Sequence, residues 1–173
     1  MLGNNGSRIA SFIIGFLPVS RWHGLKRWLL RTIGGISVGD GTRIWSGAKF
    51  NGRFITIGEN CFISTGGRFM GLSEEASLTI GNYCNFGPDV YISTGAHAIG
   101  PSTHRGAIGR LAPISIGDGT GVSINCVVLA GVRIGKGCLI GPGVVVAQDV
   151  NDNMLLGQPT PRKIKLPDEA IEF

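Results

Sequence analysis

At 173 residues the chain is long enough for one domain with a substantial core, and no second domain is needed. Its 29 glycines are well above ordinary usage, yet 43% of the residues are hydrophobic, which excludes a disordered glycine-rich linker. The net charge of +5 gathers at the two ends, in Arg8, Arg21, Lys26, Arg27 and Arg31 and again in Arg162, Lys163 and Lys165. Such ends suit a phosphorylated cofactor or an anionic membrane surface; nucleic acid is the weakest partner, because no binding motif or stacking platform accompanies the charge.

The first element expected is a helical cap over residues 1–33. Its apolar run from Ile9 to Val19 is too short for the about 20 residues that span a bilayer, and the Pro18-Val19-Ser20-Arg21 segment after it lacks a small-residue cleavage site. The chain is therefore read as cytoplasmic. Ile9, Phe12, Ile13 and Phe16, then Trp22, Leu25, Trp28 and Leu29, read as one or two short amphipathic helices around Pro18. Two roles stand open for them: packing on the first turn of the following structure, or peripheral contact with the inner face of an anionic membrane.

From residue 34 to 156 a six-residue period takes over. It begins as VGDGTR and IWSGAK at Val38, resumes as IGENCF and ISTGGR at Ile57, and returns as IGNYCN, FGPDVY and ISTGAH at Ile80. From Ile116 six hexads keep register, with aliphatic residues at 116, 122, 128, 134, 140 and 146. A period of six fits neither an amphipathic helix nor a simple alternating strand. It fits a left-handed parallel β-helix, an all-β solenoid in which three hexads make one coil, the aliphatic residue points inward, and the small residue after it permits the corner.

This arrangement stacks Ile80, Ile116 and Ile134 in one column, Phe86, Val122 and Ile140 in a second, and Ile92, Val128 and Val146 in a third. The fifth hexad position should also face inward near a corner. It holds small or β-branched residues throughout, including Ala96, Thr120 and all four cysteines, Cys61, Cys84, Cys126 and Cys138. The cysteines are read as small core residues, not as disulfide or metal partners. Two segments break the beat, residues 69–78 and the excursion 98–113, and a tail follows over 157–173.

The hexads IGDGTG, IGKGCL and IGPGVV, the histidine-bearing loop before PISIGDG, and the closing LLGQPTPRKI resemble the hexapeptide-repeat acyltransferases, in particular bacterial sugar and polysaccharide O-acetyltransferases. The resemblance covers residues 36–165. It implies a homotrimer in which acetyl-CoA, as co-substrate, lies between neighbouring β-helices and meets a carbohydrate acceptor. Acylation of an amino sugar nitrogen, and a β-helix that only binds or scaffolds, remain the alternative functions.

The resemblance also implies one catalytic histidine, and the matching position is His97 in YISTGAHAIG. The chemistry asks for that residue type, since a sugar hydroxyl needs a base that works near neutral pH to attack a thioester. The plainer role for His97 is to end a coil and bond a loop carbonyl. In the excursion, His104 and Arg105 are candidate acceptor contacts, and Arg105 with Arg110 would suit an anionic sugar or diphosphate carrier. Ser64 stands where relatives carry an acceptor-contacting Asn, and Asn85 lies nearby without aligning to it; both are candidate substrate contacts. For the cofactor the resemblance points to Gly141 and Pro142, to Ala147 and Gln148, and to Arg162 and Lys163 beside the phosphates. Gly121 departs from the family by standing where many relatives have Trp next to the cofactor. No metal is expected: a catalytic zinc needs three protein ligands, and of the three histidines here His23 belongs to the cap.

Overall fold

A computed structural model describes residues 5–106 and 108–158. The first coil consists of β1 (Ser37–Val38), β2 (Arg43–Ile44) and β3 (Lys49–Asn51). The second has β4 (Ile55–Ile57), β5 (Phe62–Ile63) and β6 (Arg68–Met70), and the third β7 (Leu78–Ile80), β8 (Asn85–Phe86) and β9 (Tyr91–Ser93). A hairpin of β10 (Gly95–Ala98) and β11 (Ile108–Leu111) interrupts the winding. It resumes with β12 (Ile114–Ile116), β13 (Gly121–Val122) and β14 (Val127–Val128), then β15 (Arg133–Ile134), β16 (Leu139–Ile140) and β17 (Val145–Val146), and β18 (Leu155–Leu156) adds to the second face.

Outside the hairpin, each strand pairs in parallel with its equivalents in neighbouring coils, which gives three sheets around one core. The expected columns are present. Val38, Ile57, Ile80, Ile116 and Ile134 follow one another in register on the first sheet. Phe86, Val122 and Ile140 do so on the second, and Ile92, Val128 and Val146 on the third. All are buried. Early in the stack Phe50, Phe69 and Phe86 fill the wider interior, with ring centroids 5.4 Å apart at each step. The fold is a left-handed parallel β-helix with a helical cap.

The corners work differently from the expectation. The left-handed residue is the fourth of the hexad: Gly41, Asn60, Tyr83, Gly119, Gly137 and Asn153 all have positive φ. The second-position glycine is required for another reason, the close passage of the adjacent coil. A Cβ on Gly117 would lie 2.7 Å from the backbone of Gly135 and Lys136, and one on Gly58 would lie 2.5 Å from the carbonyl of Gly81.

The fifth position forms a polar seam inside the first corner, where Thr42, Cys61, Cys84, Thr120 and Cys138 follow in successive coils. Each donates to a carbonyl of the next coil: Thr42 to Gly58 at 2.7 Å, Cys61 to Gly81 at 3.1 Å, Cys84 to Gly117 at 3.2 Å, Thr120 to Gly135 at 2.8 Å and Cys138 to Asn151 at 3.0 Å. The cysteines are free, buried thiols, as their position required. The neighbouring Cys61 thiol and burial push Cys84 up, and burial alone raises Cys126. Ala96 is the exception among fifth positions, being only half-buried because β10 has already left the stack.

An open β-helix exposes one row of unpaired backbone groups at its first coil. The cap covers them. From α2 (His23–Thr32), Lys26 donates to the carbonyls of Pro18, Val19 and Ile44 at 2.8, 2.8 and 3.1 Å, Arg27 to Thr42 at 2.9 Å, and Arg31 to Val38 at 2.7 Å. From α1 (Asn5–Gly15), the hydroxyls of Ser11 and Ser7 accept from the backbone N–H groups of Phe50 and Gly52 at 2.9 and 3.0 Å. Three of the basic residues counted as potential anion contacts are thus engaged with the protein's own carbonyls.

The cap packs α1 largely through small residues, while α2 buries Leu29 and Leu30. Gly6, Ser7, Ala10 and Ile14 of α1 are buried, while Phe12 and Phe16 are 69% and 77% exposed, and Trp22 and Trp28 also face out. Among the described residues no helix is long and apolar enough to cross a membrane.

Candidate active site

The chain leaves the third sheet at a tight turn. The Ser93 hydroxyl donates to the carbonyl of Gly95 at 2.9 Å and accepts from its N–H at 3.2 Å, which lifts β10 away from the β-helix. β10 and β11 then pair antiparallel, with His97 opposite Gly109 and Ala96 opposite Arg110. At the base the Ala112 N–H donates to Thr94 at 3.0 Å. At the tip the Gly100 N–H donates to the Arg105 carbonyl at 2.8 Å, and the Arg105 guanidinium returns a bond to the Gly100 carbonyl at 3.0 Å.

His97 is exposed on this hairpin. Its cross-strand neighbour has no side chain, and the space beside Gly109 is open within 4 Å. A two-stranded arm therefore presents an exposed imidazole, a group of the kind able to take a proton from a bound hydroxyl. His104 and Arg105 are exposed near the tip, where Arg105 holds the turn together.

The other sequence-derived residues are dispersed. Ser64 is 3% exposed at the end of β5, and its N–H donates to Phe86 at 3.0 Å. Asn85 faces outward from the second sheet, paired with Gly121, in a shallow cavity of about 300 Å³ that Phe62 and Leu139 also line. The glycine in place of Trp leaves that cavity open. Asn85 and His97 thus belong to different parts of one chain, the second sheet and the hairpin after the third.

Of the cofactor candidates, Gly141 is buried, its N–H donating to Leu156 at 2.7 Å, and Pro142 is exposed beside it. Ala147 and Gln148 line a cavity of about 580 Å³ on the last coil, together with Gly143, Val145 and Gln158. Arg162 and Lys163 lie outside the described residues. No cluster of His, Cys, Asp or Glu able to hold a metal occurs among those described.

One feature escaped the sequence. A groove of about 530 Å³ runs between α1 and the outer face of the third sheet, lined by Arg8, Ser11, Phe12, Lys49, Asn51, Arg68, Met70 and Tyr91. Lys49, Arg68 and Tyr91 are register partners on β3, β6 and β9. The signal was the cation ending IWSGAK and ISTGGR, two hexads one coil apart, but nothing in the sequence brings Arg8 to them.

Comparison with known proteins agrees with this architecture. Residues 113–148, the fourth and fifth coils, match the family model for the bacterial transferase hexapeptide (six repeats). The chain is 31% identical over 138 residues to a galactoside O-acetyltransferase of Lactococcus lactis, a match covering 69% of this chain and 67% of that protein. A hexapeptide-repeat acetyltransferase of Vibrio cholerae, solved with acetyl coenzyme A, superposes with a TM-score of 0.76 at 24% identity over 90% of this chain and 81% of its own. A galactoside acetyltransferase solved with coenzyme A gives the same TM-score at 20% identity, over 98% of this chain and 88% of that one. With its coils, its repeat and a relative matched over two thirds of its length, the chain belongs to the hexapeptide-repeat acetyltransferase family.

Proposed function

We propose that the protein transfers the acetyl group of acetyl-CoA to a sugar hydroxyl, with His97 as general base. The observation that carries this reading is the placement of His97, exposed on a hairpin opposite a glycine, in a chain of an acetyltransferase family. The imidazole accepts the hydroxyl proton as the oxygen attacks the thioester carbonyl. When the tetrahedral intermediate collapses, the carbon–sulfur bond breaks and the imidazolium returns the proton to the departing thiolate of coenzyme A.

The donor is assigned to the last coil, with Gly141, Pro142, Ala147 and Gln148 along its pantetheine and Arg162 and Lys163 toward its phosphates. His104, Arg105 and Asn85 are assigned to the acceptor side. The working unit is a homotrimer, which would bring the hairpin of one chain over the coils of the next. The exposed apolar residues of that hairpin, Ile99, Ile108 and Leu111, support this. The setting is surface polysaccharide biosynthesis on the cytoplasmic side of a membrane, where the outward Phe16, Trp22 and Trp28 would rest in the interface.

The test is acetyl-CoA turnover with a panel of glycans by wild type and His97→Ala. A loss of about 10²- to 10⁴-fold in kcat is expected. Comparable rates overturn the role of His97, and acetylation confined to amino sugars overturns O-transfer.

A further inference from the structure

The groove under α1 collects three cations, and Asp89 shares an adjoining cavity with Arg68 without lining the groove itself. Lys49 and Arg68 extend from adjacent strands of its floor, Arg8 reaches it from the helix, and no carboxylate lines it. Among the described residues the one ion pair joins Arg31 to Asp40, so none of the three is salt-bridged to a described residue. They differ in this from Lys26, Arg27 and Arg31, which bond backbone carbonyls. Three like charges facing one concavity repel one another unless an anion joins them, and the charge of about −2 on a phosphate ester would neutralise most of theirs.

The remaining lining suits a sugar beside that phosphate. Asn51 offers a polar group, Phe12, Met70 and Tyr91 offer apolar faces, and the Tyr91 hydroxyl lies 3.5 Å from the Met70 sulfur, while the Ser11 hydroxyl is held by Ser7 and Phe50. The track from Lys49 to Tyr91 crosses two strand spacings, about 10 Å. Tyr91 begins the strand that leads through Thr94 into β10 and His97. The groove thus ends on the strand from which the hairpin leaves the β-helix.

We propose that this groove binds the phosphate or diphosphate of a glycosyl phosphate, and so selects the acceptor. The inference rests on the proposed acetyl transfer for its biological meaning, but the anion site can be tested without it. Its shared chemistry is a sugar linked to phosphate, whether carried by a nucleoside or by a polyprenyl lipid.

The experiment titrates inorganic pyrophosphate into the full chain and into Lys49→Gln/Arg68→Gln by calorimetry, with acetyl-CoA titrated in parallel. Binding at least about tenfold weaker in the double variant, with acetyl-CoA affinity unchanged, is expected for the loss of two charge-assisted contacts. Equal affinities, no binding to wild type, or displacement of pyrophosphate by coenzyme A each overturn the proposal, the last by giving the groove to the donor. Competition by a nucleoside-diphosphate sugar or by a short-chain polyprenyl-diphosphate sugar supports it and names the carrier; competition by neither overturns it as an adventitious anion site. If pyrophosphate binds as expected but no acceptor is acetylated, the proposed reaction fails and the anion site stands.

Discussion

Thr120 and Cys138 stand one above the other in adjacent coils, and the threonine hydroxyl serves both: it accepts from the Cys138 N–H at 3.1 Å and donates to the Gly135 carbonyl at 2.8 Å. Thr42 bonds Cys61 and Gly58 in the same way. Thr120→Val keeps the shape and removes the donor and acceptor, leaving a buried N–H and a carbonyl without a partner. A loss of about 2 kcal/mol is expected, while Thr120→Cys, which keeps a donor, loses less. Urea denaturation of the two variants checks this.

Gly117 and Gly119 separate two demands on glycine. Gly117→Ala forces a Cβ to within 2.7 Å of backbone and should cost several kcal/mol, about 3 or more. Gly119→Asn meets open space and places a residue that already occupies the left-handed corner at Asn60, so a change within about 1 kcal/mol is expected. Thermal unfolding distinguishes them.

Lys26 is fully buried, and its ammonium holds three carbonyls. Burial lowers its pKa, because removal from water disfavours the charged form. Lys26→Met fills the same space but abandons Pro18, Val19 and Ile44. A loss of about 3 kcal/mol is expected, with hydrogen exchange rising first in α2 and β2.

Among the described residues Asp40 carries the one ion pair. The hydrogen bond and charge of Arg31 hold its carboxyl below the usual carboxylate range. A carboxylate depressed in the folded state binds protons more readily when unfolded, so its contribution is present above the unfolded value and disappears as pH falls through the folded one. The melting temperatures of wild type and Asp40→Asn should differ slightly at neutral pH and converge in acid.

At Gly109, a larger residue enters the open space opposite His97 without meeting the protein. Gly109→Leu should leave the melting temperature nearly unchanged and reduce kcat by about tenfold or more, by crowding the imidazole's approach to substrate. Unaltered kcat would show that the reacting hydroxyl does not use that side of the hairpin.

The coils were legible because each aliphatic residue repeats one physical demand. Ile116, Val122 and Val128 each begin a hexad and each point inward, so the period reports burial directly. Corners were less legible, since position two and position four can both hold glycine for different reasons, and Asn60 or Tyr83 can replace it only at the second kind. The cap misled in one respect: large apolar residues at helical spacing suggest an inward face, yet Ala10 and Gly6 pack on the coil and Phe12 faces out. Of the site, the hairpin histidine was readable from the broken beat. The groove was not, because Arg8 and Arg68 are brought together only by the docking of α1 onto the third sheet.

The hairpin has a consequence for how such a protein can diversify. A regular step of the winding spans 18 residues, as between Thr120 and Cys138, whereas the Asn82 N–H meets the Asp118 carboxylate across 36. The two coils on either side of the excursion pair as though it were not there, with Ile80 directly beside Ile116. The arm can therefore lengthen, shorten or change its sequence without shifting one rung of the ladder below. Scaffold and arm can be inherited under separate selection, the first for stability and the second for whatever the exposed arm contacts.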